Sequence, residues 1–190
     1  PTRRSSDLNT DIWRLATPVS GDPVWAMWQM GGVWLCSHLW EHFAFSGDRD
    51  FLRDTAYPLM KGAAQFCLDW LVPHSSGYLV TCPSTSPESK FAVQEGVTAS
   101  VSMGSTMDMM LIWDLFSNCI EASTILKIDY EFREELLRTR KQLLPPKIGS
   151  QGQLLEWYKE FEEAEPGHRH LSHLYGFYPG RQMTFDREPE

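Results

Sequence analysis

The chain has 190 residues, 42% of them apolar and 22% charged, a balance that fits a soluble globular domain and excludes a disordered chain. Twenty-five acidic against 17 basic residues give a formal charge of -8, which argues against nucleic acid or an anionic membrane surface as partner and for a neutral one. No apolar run reaches the ~20 residues of a membrane span, and Cys36, Cys67, Cys82 and Cys119 form neither a zinc pattern nor a dense disulfide framework.

The opening Pro1-Thr2-Arg3-Arg4-Ser5-Ser6-Asp7-Leu8 resembles a translated sequencing adapter. Residues 1–8 are therefore read as a non-native segment that packs against nothing, and residues 9–190 as the domain. Residues 23–45 carry Trp25, Trp28, Leu35 and Leu39 at helical intervals and stop before Gly47, which predicts one buried helix weakened by Gly31-Gly32. Asp48 caps a second helix running to about residue 72, which Pro58 should break or kink. Between residues 73 and 104 the helical period gives way to Pro, Ser, Thr and Gly, with one strand-like stretch at Tyr78-Leu79-Val80-Thr81; a loop of this length is usually functional. Ser105 opens a strong helix bearing Met107, Leu111, Leu115, Ile120 and Leu126, with Asp108 as the acidic member of a capping box. A further helix spans residues 129–143 and ends before Pro145-Pro146. The closing acids resemble the first turn of another helix, so the domain is expected to continue past residue 190 at one end and before residue 9 at the other. Helices in pairs, joined alternately by tight turns and long loops, predict an all-α fold, either a helical toroid or a solenoid.

Three stretches have chemical potential. The loop Thr81-Cys82-Pro83-Ser84-Thr85-Ser86-Pro87-Glu88 holds one carboxylate at the end of a proline-stiffened backbone, as a general acid requires. The same Ser86-Pro87-Glu88 is also the form of an ordinary helix start, in which the dipole favours the ionised carboxylate. His168-Arg169-His170-Leu171-Ser172-His173 gathers donors suited to sugar hydroxyls, to a structural polar cluster or to a metal; residues two apart point to different faces of a helix, and this together with the absence of a nearby Cys or HExxH pattern weighs against the metal. Trp13, Trp25, Trp28, Trp34 and Trp40 are mostly core by spacing, while one or two can line a pocket, and Asp11 and Arg14 flank Trp13 in a polar and aromatic mixture typical of carbohydrate sites.

Taken in order, Asn9-Thr10-Asp11-Ile12-Trp13-Arg14, Met27-Trp28-Gln29-Met30-Gly31-Gly32-Val33-Trp34-Leu35, Leu39-Trp40-Glu41-His42, Tyr57-Pro58-Leu59-Met60-Lys61-Gly62, Ser84-Thr85-Ser86-Pro87-Glu88, Thr106-Met107-Asp108-Met109, Gly152-Gln153-Leu154-Leu155-Glu156-Trp157 and residues 168–176 resemble the family 95 glycoside hydrolases, the inverting α-L-fucosidases. The resemblance implies that the chain is part of an (α/α)6 barrel, a six-hairpin toroid with its site at the loop-rich end. It implies release of terminal α-L-fucose from oligosaccharides or glycans, with no metal or cofactor, in a secreted or periplasmic setting. By position Glu88 matches the general acid, and Arg169 and His170 match sugar-contacting residues; Asp11, Trp13, Trp25 and Trp28 are further substrate-binding candidates.

The same resemblance places an Asn pair upstream and an Asp downstream of this chain, so the base side of the site is expected from the remainder of the same polypeptide, and the chain alone is expected to be inactive. Ser89 stands where an Asn commonly follows the acid. Should Glu88 not be the acid, Asp11 and Glu156 are the next carboxylates to consider. An α-L-galactosidase of the same family, and a helical carbohydrate-binding module without chemistry, are the competing readings.

Overall fold

In a computed structural model of the chain, residues 22–184 are described. Residues 1–8, Asp11 and Trp13 lie outside them, and of Trp25 only the backbone is described.

The apolar run at residues 23–45 forms two helices rather than one. Helix α1 (Pro23–Ala26) starts with Pro at its first position under an Asp22 cap whose carboxylate accepts the Val24 N–H at 3.1 Å. The chain then turns, and α2 (Gly31–Ser46) begins at the glycine pair, so those glycines open a helix instead of weakening one. Gly47 closes α2 in the left-handed conformation, φ 67°, its N–H returning to the Phe43 carbonyl. Asp48 caps α3 (Arg49–Phe51) as expected, accepting from the amides of Asp50 and Phe51.

Pro58 does not break the next helix but sits in its first turn, behind a widened one. Between α3 and α4 (Tyr57–Trp70) lies a π turn, Leu52–Ala56, in which the Tyr57 N–H reaches the Leu52 carbonyl. The widened turn accommodates a residue that has no N–H and a bulky ring at the second position of α4. Tyr57, Met60, Ala63, Ala64 and Cys67 form the buried stripe of α4 at intervals of three and four. Helix α5 (Thr106–Leu126) is the central element, buried nearly all round its first half, and it packs on α2, α4 and α6 (Tyr130–Arg140). Helix α6 buries only Leu136 completely and leaves its charged faces to solvent. The core therefore sits between α2, α4 and α5, filled by Met30, Leu52, Met60, Met110, Leu111, Ile112 and Phe116.

The all-α expectation needs correction: the fold is mainly helical but holds two antiparallel hairpins. The strand expected at residues 78–81 is β2 (Leu79–Thr81), and it pairs with β1 (Leu71–Pro73) at the end of α4, Val72 opposite Val80. A second hairpin, β3 (Phe91–Gln94) with β4 (Val97–Ala99), lies where only loop was expected. Its signal is the Glu95-Gly96 turn between β-branched and aromatic residues, with Gly96 at φ 72°. A register shift between Ala92 and Gln94 breaks the alternation that would have revealed the strand.

Candidate active site

The segment from Thr81 to Glu88 leaves β2 and is sewn to the start of α5 by buried polar side chains. Ser84 and Ser102 exchange backbone hydrogen bonds, 2.9 and 2.8 Å. Ser105 caps α5 by accepting the Asp108 N–H, and its hydroxyl donates to the Thr85 carbonyl at 3.1 Å. Asp108, however, does not complete a capping box. Its fully buried carboxylate instead accepts from the Trp28 indole at 3.3 Å, the Thr81 hydroxyl at 3.1 Å and the Ser84 hydroxyl at 2.6 Å, and burial lifts its pKa to about 6 against the pull of those donors. Asp108 thus anchors the loop that carries Glu88.

Ser86-Pro87-Glu88 starts no helix. It forms a turn in which the Ser89 N–H donates to the Ser86 carbonyl at 2.7 Å; the Cys82–Pro83 and Pro87–Glu88 peptides are cis. The turn presents Glu88, its side chain a quarter exposed, into a cleft of about 420 Å³. Facing it is the turn at residues 168–171. Arg169 Nη2 donates to Glu88 Oε2 at 2.5 Å, and His170 Nδ1 stands 3.4 Å from the same oxygen, across 81 residues of chain in the first case. The Ser172 hydroxyl donates to the Pro87 carbonyl, which ties the backbone of one turn to the other.

Glu156 forms the floor between them. It is 7% exposed, accepts from the Ser86 hydroxyl on one oxygen and pairs with His173 Nδ1 on the other. The close Glu156 carboxylate raises the His173 pKa above its ordinary value, with burial acting against it. The Glu156 backbone carbonyl takes the Thr106 N–H at 3.0 Å, so Glu156 is fixed to the first turn of α5. Phe91, Trp157 and Phe161 pack behind this floor, Phe91 stacked on Phe161 with ring centroids 4.2 Å apart.

Glu88, His168 and His170 each bring one potential metal-ligand atom to within 4.8 Å of the others. Two contacts oppose ligation: Arg169 already occupies Glu88 Oε2, and His168 Nδ1 accepts the His170 N–H at 3.1 Å, which leaves the Nε2 of neutral His168 protonated.

The sequence of this chain matches the glycosyl hydrolase family 95 catalytic domain over residues 5–190. The chain belongs to glycosyl hydrolase family 95. It is 43% identical over 182 residues to alpha-L-fucosidase 2 of Arabidopsis thaliana, an alignment covering 95% of this chain and 22% of that protein. It is 37% identical over 162 residues to a probable alpha-fucosidase A of Aspergillus niger, covering 82% and 20%. The family 95 chain therefore spans about a fifth of the length of these curated relatives.

Of the residues singled out in the sequence, Glu88, Arg169 and His170 meet in one cleft. Trp28 does not line that cleft; it is 8% exposed, tilted against Trp34 in the core and hydrogen-bonded to Asp108. The pairing of Glu156 with His173 and Ser86 is not evident from sequence, because each of the three has an adequate local reading and nothing in the spacing links them.

Proposed function

We propose that this chain carries the acid side of an inverting α-L-fucosidase site, within a portion of an (α/α)6 catalytic domain. The observation that carries the reading is the meeting of Glu88 with Arg169 and His170 in a single cleft. A carboxyl group held on a stiff turn beside the donors Arg169 and His170 suits a pocket that grips sugar hydroxyls next to a proton donor, once the sugar has displaced the guanidinium. The names of the family 95 relatives, alpha-L-fucosidase 2 and probable alpha-fucosidase A, support fucose as the sugar.

In this mechanism a terminal α-L-fucosyl unit enters the cleft and its hydroxyls accept hydrogen bonds from Arg169 and His170, drawing the guanidinium off Glu88 Oε2. Parted from the guanidinium, the Glu88 carboxylate takes up a proton from solvent and delivers it to the glycosidic oxygen as the bond to the anomeric carbon breaks. Water, deprotonated by a base supplied from the rest of the polypeptide, attacks the opposite face and inverts the configuration. The two carboxyl groups of such a site stand about 6.5–9.5 Å apart to leave room for that water. Glu156 does not suit the base role, since both of its oxygens are taken.

The test is Glu88→Gln in the full-length enzyme. General acid catalysis contributes about 10²–10⁴-fold, so hydrolysis of an unactivated fucosyl glycan should fall by about that factor while α-L-fucosyl fluoride, whose leaving group needs no proton, loses far less. Equal turnover of the natural glycan by Glu88→Gln and the parent would remove Glu88 from the role.

A further inference from the structure

The two turns that form the cleft have little regular structure of their own. Residues 84–90 hold one isolated bridge, and residues 168–171 hold none. Their direct ion pair is exposed, with the Arg169 side chain 66% accessible, and exposed pairs hold geometry weakly. What fixes the register of the acid against the sugar-holding donors must therefore be better shielded from water, and two ties are: the part-buried Ser172 hydroxyl on the Pro87 carbonyl, and the buried carboxylate of Glu156 spanning Ser86 and His173.

We propose that Glu156 and His173 are positioning residues for the acid Glu88, locking the acid-bearing turn and the 168–173 turn into one rigid unit on the first turn of α5. The inference rests on the fucosidase reading above. Glu156 is placed for this task on three sides. Ser86 precedes Glu88 by two residues and is completely buried, so a shift of its hydroxyl moves the acid. His173 opens from the short 3-10 turn Ser172–Leu174, directly after the donors Arg169 and His170. The far end of that turn is held by α5, through the Gly176 N–H on Met110 Sδ at 3.1 Å and the Tyr175 hydroxyl on Asp114 at 3.4 Å. Glu156 is thus the one carboxylate among the described residues that touches both turns by side chain and α5 by backbone.

The groups that face His173 are the carboxylates of Glu156 and Glu163; Glu88, Lys90, Glu165 and His168 lie around the same cleft. Because the Glu156 contact raises the His173 pKa, the imidazolium persists to higher pH than a free one, and the charged pair is lost as pH rises through the raised value.

The experiment compares Glu156→Gln, His173→Ala and His173→Asn in the full-length enzyme on a natural fucosyl glycan and on α-L-fucosyl fluoride. Misplacing a catalytic group by about 1 Å can cost about 100-fold, so Glu156→Gln and His173→Ala should lower kcat on the glycan by about 10- to 100-fold, with KM within about threefold. The fluoride should lose less than about threefold, because it does not need the proton. His173→Asn, which keeps a donor near the place of Nδ1, should recover most of the glycan activity. Equal losses on both substrates, or none on either, would overturn the proposal. If Glu156→Gln fails to fold, Ser86→Ala removes a single contact of the bridge and is judged by the same ratio. The outcomes separate from those of the parent reading: a Glu88→Gln enzyme without leaving-group dependence sinks the acid assignment itself, whereas a normal Glu88→Gln result with flat ratios for Glu156 and His173 sinks only the positioning role.

Discussion

Replacing Asp108 with Asn should make the chain's stability less dependent on pH without weakening the fold in acid. Asp108 is fully buried and its pKa stands at about 6 against an ordinary 3.8, because desolvation outweighs the donors Ser84, Thr81 and Trp28. Between those two values the folded chain keeps a proton that the unfolded chain has released. Stability from this group is thus complete below about pH 4 and falls as pH rises through about 6. A gap of about two pKa units at 1.36 kcal/mol each amounts to about 3 kcal/mol. Asn is the neutral isostere of the protonated acid, and the Ser84 and Thr81 hydroxyls can rotate to accept from its amide. Urea unfolding followed by tryptophan fluorescence at pH 4 and pH 7 measures the effect, with Trp28 as a reporter in contact with the site. The parent should lose about 3 kcal/mol more than Asp108→Asn between the two conditions. Identical pH dependence in both proteins would refute the buried-acid account, and a variant weaker by several kcal/mol at pH 4 would refute the isostere argument.

Leu136 is the one fully buried side chain of α6 and fixes that helix on α5, so Leu136→Ala should cost about 2–5 kcal/mol in the same unfolding assay. Gly104 has φ 51°, and a Cβ there would stand 3.1 Å from Val80 Cγ1, so Gly104→Ala should cost about 1–3 kcal/mol and weaken the contact of β2 with the segment leading into α5.

Helical spacing and local caps carry well from sequence to structure: the α4 stripe, the Asp48 and Ser105 caps and the Gly47 stop each depend on residues within one or two turns. What fails is tertiary. Asp108 reads as a capping acid because Ser105 lies three residues before it, yet its partners Trp28, Thr81 and Ser84 are 80, 27 and 24 residues away. Buried donors compete for a carboxylate more strongly than one backbone N–H at the helix end, and no local pattern records them. The β3–β4 hairpin is hidden for another reason: a bulge in a four-residue strand leaves too few alternating positions to count. The meeting of Glu88 with Arg169 and His170 follows from family resemblance, not from spacing. A loop ending in one acid and a turn rich in histidine contain no information about their mutual distance.

Arg169 offers the sharpest separation between a residue that supports the fold and one that serves the site. Its side chain is 66% exposed and its partner Glu88 25% exposed, so their ion pair is screened by water, and such pairs contribute about 0–1 kcal/mol. If Arg169 were there only to brace the cleft, Arg169→Ala would therefore be nearly silent in every assay. A guanidinium that donates to sugar hydroxyls has a different signature: charge-assisted hydrogen bonds contribute about 1.5–3 kcal/mol each, or about 10- to 100-fold in binding. Arg169→Ala in the full-length enzyme should leave the melting temperature within about 2 °C of the parent while raising KM for a fucosyl glycan by at least about tenfold. Unlike the loss in Glu88→Gln, this one should fall equally on α-L-fucosyl fluoride, since the sugar is common to both substrates and only the leaving group differs. Arg169→Lys should recover part of the affinity, because the ammonium supplies a point charge but lacks the planar fork of donors. Unchanged KM for Arg169→Ala on both substrates would show that the guanidinium never leaves Glu88 to meet the sugar, and the exchange of partners on which the proton transfer depends would have to be abandoned.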